Sequence, residues 1–282
     1  MITTETIAEA REVVKQWKAQ GLSVGLAPTM GYLHAGHAAL IARSCAENDK
    51  TAVSLFVNPI QFAPNEDFSR YPRDAARDFA LCAGAGVDLV FAPSADEMYP
   101  APPLAYADID GLGDGLCGAS RRGHFRGVCT VVAKLFHILT PDRAYFGQKD
   151  AQQLAIIKRM TRDLNFDIEI VPCRTVREAD GLALSSRNVY LSPGERAAAL
   201  ALPEGLRQAE HALRGGERNA EAVRDAVLRT LAREPLARVD YAEVVDADSL
   251  APVSEISKPV LVAAAVYIGK TRLIDNFTFG EV

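Results

Sequence analysis

Between Leu22 and Ala46 the chain passes from a short apolar run, Leu22 to Ala27, through a glycine-bearing turn into an Ala/Leu/Ile-patterned stretch, Ala38 to Ala46. The apolar run predicts a buried strand ended by Pro28, and the stretch that follows predicts a helix. A strand, a turn and a helix N-terminus in that order form the place where α/β folds bind phosphate, because unpaired backbone N–H groups and the positive end of the helix dipole face the same point. The turn contains neither Gly-x-Gly-x-x-Gly nor Gly-Lys-Ser/Thr, so it is neither a dinucleotide fingerprint nor a P-loop. It carries His34-Ala35-Gly36-His37 instead. Residues three apart lie on one face of a helix's first turn, so both imidazoles can address one anion, and Gly36 leaves room for a bulky nucleotide beside the backbone. Read alone, the pair is also compatible with surface histidines or half of a metal site. Its position after a buried strand favours the anion.

The rest of the chain repeats the alternation. Thr6 to Gln20 has helical spacing, with Ile7, Ala10, Val13, Val14 and Trp17 apolar. Thr51 to Val57 and Val87 to Ala92 predict strands, with a helix over Asp74 to Ala83 between them. Leu112 to Gly127 is rich in glycine and arginine and predicts a loop, followed by a helix over Val128 to Leu139 stopped by Pro141. A short strand at Ala144 to Phe146, a helix at Lys149 to Arg162 and a strand at Asp167 to Val171 continue the pattern. Strands and helices alternating at this pitch predict a Rossmann-like parallel sheet flanked by helices.

Composition shifts near residue 176. Pro193 to Gly215, opened by Ser192, and Asn219 to Arg233 predict amphipathic helices, and Val239 to Val245, Pro259 to Ile268 and Thr271 to Ile274 predict strands. The expectation is a first domain over 1–176 and a smaller α+β domain over 177–282 that closes over the active site. At 282 residues the chain is long enough for both.

Net charge is −5, from 31 Lys and Arg against 36 Asp and Glu, which offers no basic footprint for nucleic acid. The five cysteines are scattered, without a Cys-x-x-Cys pair, and predict reduced thiols rather than a zinc site. No apolar run approaches the ~18 residues of a membrane span, and Met1 to Gln20 does not read as a secretory signal, so the expected compartment is the cytoplasm.

Three further stretches carry chemistry. Val57-Asn58-Pro59-Ile60-Gln61-Phe62 follows a strand, and the amides of Asn58 and Gln61 suit a small hydroxy acid. Phe146-Gly147-Gln148-Lys149-Asp150-Ala151-Gln152-Gln153 is a second strand-to-helix junction. A lysine placed against the positive end of a helix dipole there points to an anionic partner. In Arg177 to Asn188, Ser185, Ser186 and Arg187 could form a mobile phosphate clamp, although Ser-Ser-Arg-Asn alone reads as a linker.

Together, PTMGYLHAGH, FVNPIQF, FGQKDAQQ and READGLALSSRN resemble, in order, motifs of the pantoate–β-alanine ligase family within the "HIGH"-signature nucleotidyltransferases. The resemblance implies ATP-dependent condensation of (R)-pantoate with β-alanine through a pantoyl adenylate. It implies ATP contacts at Met30, Gly31, Tyr32, Leu33, His34, Ala35, Gly36, His37, Gly147, Gln148, Lys149, Asp150, Val176, Leu184, Ser185, Ser186 and Arg187. Pantoate falls to Gln61 and Gln153, with Asn58 beside them, and β-alanine to the vicinity of Gln61. His34, His37, Lys149, Ser185, Ser186 and Arg187 are the expected catalytic groups, with His37 as proton donor. Magnesium is expected mainly on ATP oxygens, since no carboxylate cage is visible, and a homodimer is expected from the resemblance. Gln148 replaces the family's usual glutamate, Leu184 its methionine, and, in CGASRRGHFRGV, which resembles a further motif of the family, Cys117 and Arg122 replace glutamate and proline. His124, His137 and His211 read as structural or surface residues, and Cys117 has no nameable activating base. A cytidylyltransferase or a nucleotide sensor would share the histidine turn, but not the Asn58 to Phe62 pattern in the first case, nor of necessity Lys149 with Ser185-Ser186-Arg187 in the second.

Overall fold

The computed structural model describes residues 1–64 and 66–280. In chain order, the first elements are β1 (Ile2–Thr4), α1 (Ile7–Ala19), β2 (Val24–Thr29), α2 (Ala35–Glu47), β3 (Lys50–Leu55), α3 (Ala75–Gly84), β4 (Leu89–Phe91) and α4 (Ala95–Met98). There follow α5 (Cys117–Ser120), α6 (His124–Leu139), β5 (Arg143–Gly147), α7 (Ala151–Asp163) and β6 (Glu169–Cys173). The C-terminal elements are α8 (Pro193–Ala198), α9 (Ala201–Arg214), α10 (Ala220–Leu231), β7 (Ala237–Asp246), β8 (Val260–Ile268) and β9 (Thr271–Phe279). They fall into two compact units. The first holds 1–110, 121–148 and 153–174; the second holds 111–120, 149–152 and the chain from Thr175.

In the first unit, six parallel strands lie in the order β1-β4-β3-β2-β5-β6. The chain steps outward from β2 to β3 and β4, then restarts on the other side of β2 with β5 and β6. The strand order therefore reverses between β2 and β5, where open α/β sheets leave a crevice at the strands' carboxyl ends. Central strands are covered on both faces, so β2 and β3 are buried over most of their length, and their Ala27 and Val53 pack with Leu33, Ile41, Val90 and Tyr145. Local chemistry sets the helix starts: Thr6 and Glu9 form a capping box on α1, and Asp74 accepts the Arg77 N–H at the start of α3.

The second unit holds an antiparallel sheet in the order β7-β8-β9. Its apolar face, with Val244, Val262, Ala264 and Val266, packs against Leu202, Leu206 and Leu213 of α9 and Val223 and Val227 of α10. Among the described residues, no helix is long and apolar enough to cross a membrane.

The parallel sheet and the small α+β unit are as the sequence predicts; several boundaries move for identifiable reasons. β2 runs through Pro28 to Thr29 instead of stopping there. Its even-numbered residues face β5, as the Asp142 N–H to Val24 C=O bond shows, and pairing with β5 ends at Leu26, so the missing proline N–H falls where no partner strand remains. The predicted helix over 193–215 is broken into α8 and α9, because Pro203 cannot donate to the carbonyl of Ala199 and its ring crowds that carbonyl. α6 starts at His124, inside the predicted loop, after Gly123 at φ 78°. Lys149 lies in a 3-10 turn, Gln148–Asp150, ahead of α7 rather than within it. β1 is outside the predicted elements, since three residues are too few for a periodicity to show.

Candidate active site

β2 ends at the switch point, and the turn after it is built from backbone bonds to side chains. Thr29 Oγ1 donates to the Ser54 carbonyl at 2.8 Å and accepts the Gly31 N–H at 3.2 Å. Gly31 and Tyr32 both take positive φ, 81° and 50°. The reversal is held by Asp78, a buried residue of α3 whose two carboxylate oxygens accept the N–H groups of Tyr32 and Leu33, each at 2.7 Å. A carboxylate accepting two backbone donors is a stronger tie than neutral pairs would be.

His34 is the N-cap of α2 and His37 its third residue, so the predicted shared face exists. His34 Nδ1 accepts the Gly36 N–H at 3.1 Å, and His37 Nδ1 accepts the His34 N–H at 3.3 Å. Backbone N–H groups only donate, so in both neutral imidazoles the proton belongs on Nε2. The ring centroids lie 4.1 Å apart. The turn thus presents two Nε2–H donors at a helix N-terminus. Gly36 has a local reason beyond the room expected for a nucleotide: a Cβ there would lie 2.8 Å from Cε1 of the folded-back His34 ring.

At the carboxyl end of the neighbouring β3, the 3-10 turn Pro59–Gln61 delivers Gln61. Its Nε2 donates to Met30 Sδ at 3.1 Å, so the amide meets the histidine turn directly. Its Oε1 accepts from Asn58 Nδ2 at 3.0 Å, and the same nitrogen donates to the Gly127 carbonyl at 3.0 Å. Asn58 Oδ1 accepts the Tyr99 hydroxyl at 2.9 Å. Burial pushes the Tyr99 phenol well above its usual range, so it stays a donor. Asn58 is 1% exposed with both amide hydrogens used, one of them on Gln61. Gln153 lies half-buried in the first turns of α7, and β5 ends at Gly147, where a Cβ would meet nothing within 4 Å.

In the second unit, the Lys149 carbonyl accepts from Asn276 Nδ2 at 2.7 Å, and Nζ lies 3.7 Å from Asp150 Oδ1. Gln152, buried, ties down the preceding loop: Oε1 accepts the Cys117 N–H at 2.9 Å and Nε2 donates to the carbonyls of Leu112 and Gly115. Val176 to Asn188 is a hairpin whose base is closed by the Leu184 N–H to Val176 C=O bond and the Glu178 N–H to Leu182 C=O bond. Arg177 makes a two-pronged pair with Asp275, at 2.6 and 2.9 Å, and Arg196 binds Glu178 and Asp180. At its tip, Ser185 Oγ accepts the Arg187 N–H at 3.3 Å and caps the 3-10 turn Ser186–Tyr190. Cys117 is buried, its sulfur 3.3 Å from the Tyr241 hydroxyl and 3.6 Å from Arg272, which is itself paired with Asp240. It is part of a packed polar knot.

Asp78, Tyr99 and His124 support the site and are absent from the sequence-level candidates. Asp78 had a readable signal, a carboxylate four residues before Cys82 on the buried stripe of α3. His124 lies in the GHF stretch and reads there as structural or surface, while Tyr99, which acts on Asn58 across 41 positions, had none. Among the described residues, no group of three or more His, Cys, Asp and Glu side chains is placed to hold a metal ion.

The family model described as Pantoate-beta-alanine ligase matches residues 2–278. A pantothenate synthetase of Clostridium acetobutylicum is 57% identical over 274 residues, covering 97% of this chain and 98% of that one. The crystal structure of pantothenate synthetase from Thermus thermophilus superposes with a TM-score of 0.94 at 46% identity, covering 98% of this chain and 99% of that chain. A pantoate-beta-alanine ligase of Francisella tularensis, complexed with beta-gamma ATP and beta-alanine, matches with a TM-score of 0.81 at 35% identity over 98% of this chain and 97% of that chain. With its two-histidine turn at the switch point and its full-length likeness to these proteins, the chain belongs to the pantoate–β-alanine ligase family.

Proposed function

We propose that the chain condenses (R)-pantoate with β-alanine, consuming ATP and releasing pantothenate, AMP and pyrophosphate. The structural observation that carries this reading is the 3.1 Å bond between Gln61 Nε2 and Met30 Sδ. It sets an amide suited to a hydroxy acid against a turn built for phosphate.

A carboxylate is a poor acyl donor, because its leaving group would be oxide. Adenylation removes that obstacle: a pantoate carboxylate oxygen attacks the α-phosphorus of ATP and pyrophosphate leaves. The β-alanine amine then attacks the pantoyl carbonyl, AMP departs with the bonding pair, and the amine loses a proton. Charge builds on phosphate oxygens in the first step, so preorganised donors contribute most. His34 and His37 supply Nε2–H groups there, with His37 the proton donor. Met30 to His37 and Gly147 to Asp150 line the nucleotide, with Val176 and Leu184 against it, and Lys149, Ser185, Ser186 and Arg187 bind phosphate. Gln61 and Gln153 orient the pantoate carboxylate for attack, with Asn58 beside them. The donor set fits a magnesium ion that arrives on the ATP phosphates, where it would offset charge on the departing pyrophosphate. A homodimer and a cytoplasmic location complete the reading.

Pyrophosphate exchange tests it. Labelled pyrophosphate should enter ATP when enzyme, magnesium and pantoate are present and β-alanine is absent, and omission of pantoate should abolish exchange. Exchange into CTP would indicate a cytidylyltransferase, and exchange that ignores pantoate would overturn the substrate assignment.

A further inference from the structure

His124 opens α6 and lies buried among polar groups, outside the reacting set. Its two ring nitrogens have partners of fixed character. Nδ1 is 2.9 Å from the Gln61 carbonyl oxygen, which can only accept. Nε2 is 2.9 Å from Arg121 NH1, which can only donate. Both bonds exist together only when the imidazole is neutral with its proton on Nδ1. Arg121 is in turn held by a two-pronged pair with Glu66, each bond 2.7 Å. A carboxylate, a guanidinium and an imidazole therefore run in line to the backbone of the residue whose side chain faces the Met30 turn.

We propose that His124 is a positioning residue for pantoate: fixed by Arg121 and Glu66 as the neutral Nδ1–H tautomer, it pins the Gln61 carbonyl and so aims the Gln61 amide. The inference rests on the reading of Gln61 as a pantoate ligand. Two holds act on Gln61 from opposite ends. Asn58 fixes the side-chain oxygen, and His124 fixes the main chain. The second acts on the main chain of the 3-10 turn itself.

The tautomer is open to measurement without catalysis. Nitrogen-15 NMR of the imidazoles in the wild-type protein near neutral pH should show His124 with a protonated Nδ1 and an unprotonated Nε2. This state is the minority form of free histidine, so bulk preference cannot produce it. In the exchange assay, His124→Ala should raise the pantoate KM by about tenfold, the scale of one buried hydrogen bond lost with its acceptor unpaired, and leave the ATP KM unchanged. His124→Asn sets an amide nitrogen near the Nδ1 position and should recover most of the loss. His124→Gln, which places its nitrogen nearer Nε2, should not. Gln61→Ala run alongside separates the two levels: a pantoate KM unaffected by Gln61→Ala overturns the reading of Gln61 and the inference with it. An Nε2–H tautomer overturns the inference alone. So does a His124→Ala enzyme with wild-type pantoate KM when Gln61→Ala is impaired, or equal losses for ATP and pantoate. The NMR result holds its force even if the alanine variant fails to fold.

Discussion

Gly127 and Gln61 meet backbone to backbone: a Cβ on Gly127 would fall 2.6 Å from Gln61 Cα and 2.5 Å from the Ile60 carbonyl oxygen. Helix α6 can therefore lie against the turn that carries Gln61 only because residue 127 has no side chain. The Gly127 carbonyl also accepts from Asn58, so one residue supplies both the space and an anchor.

Gly127→Ala should consequently displace the Pro59–Gln61 turn, since the obstacles are backbone atoms rather than a movable side-chain end. The cost is expected to be about 1–3 kcal/mol, the range for overpacking a close-packed site. Urea unfolding would measure it, together with a raised pantoate KM in the exchange assay. A variant with wild-type stability and pantoate KM would show that the turn tolerates the shift.

Replacing either His34 or His37 with Ala should lower adenylation by roughly 10²–10³-fold, the loss attending removal of one preorganised donor. Each also gives up a helix cap worth about 0.5–2 kcal/mol. The folded state should persist at ordinary temperature. Single-turnover formation of the adenylate is the measurement, and near-normal rates in both variants would remove the pair from the chemistry.

Asp78→Asn tests what shapes the histidine turn. An amide can accept with one oxygen only, so one of the Tyr32 and Leu33 N–H groups would face an NH2 group. A loss of about 1–3 kcal/mol is expected for the orphaned buried donor, and the ATP KM should rise. Unchanged nucleotide affinity would separate the turn's shape from its function.

The hairpin from Val176 to Asn188 should respond to ATP at its tip alone. Its base is tied by Arg177 to Asp275 and by Arg196 to Glu178 and Asp180, so the Glu178 and Leu184 amides should exchange slowly with or without nucleotide. Exchange across Ser185 to Arg187 should slow when ATP and magnesium bind. Equal exchange at the tip in both states would count against a phosphate clamp.

Acid should loosen the support of Gln61 through Glu66. Burial works to raise this carboxyl, but the hydrogen bonds and charge of Arg121 outweigh it and hold the group below its ordinary value. A carboxyl lowered in the folded state contributes stability above its unfolded value, about 4.3, and loses it as pH falls through the folded value. Glu66→Gln should therefore be less stable than wild type near neutrality, with the gap closing as the pH drops below that of an ordinary glutamate. Urea midpoints across the acid range give the comparison, and a constant gap would refute the linkage.

The strand, turn and helix around His34 were legible because their signals are local. An apolar run, a glycine turn and helical spacing occupy consecutive residues, and α2 follows them within the chain. The boundaries that moved depended on partners elsewhere. Pro28 stays in β2 because β5 has ceased to pair beside it, a fact about residues more than a hundred positions away. Gly123 and the first turn of α6 hid inside an apparently loop-like sequence, since glycine and arginine carry no apolar period.

By itself, then, the sequence determined the alternating α/β plan, the two-histidine turn, the Gln61, Lys149 and Ser185–Arg187 motifs, and through them the family. Each is a property of neighbouring residues, for which propensity and spacing are sufficient. Tertiary structure alone decided how those groups are aimed: that Asp78 shapes the turn, that Asn58 is turned inward to Gln61, and that Glu66 and Arg121 select the tautomer of His124. These arrangements depend on residues tens of positions apart, Asp78 on Tyr32, Gly127 on Asn58 and Glu66 on Arg121, and the directionality of their hydrogen bonds is satisfied only when the packed backbone sets donor and acceptor within about 3 Å. No local pattern in the chain encodes that distance.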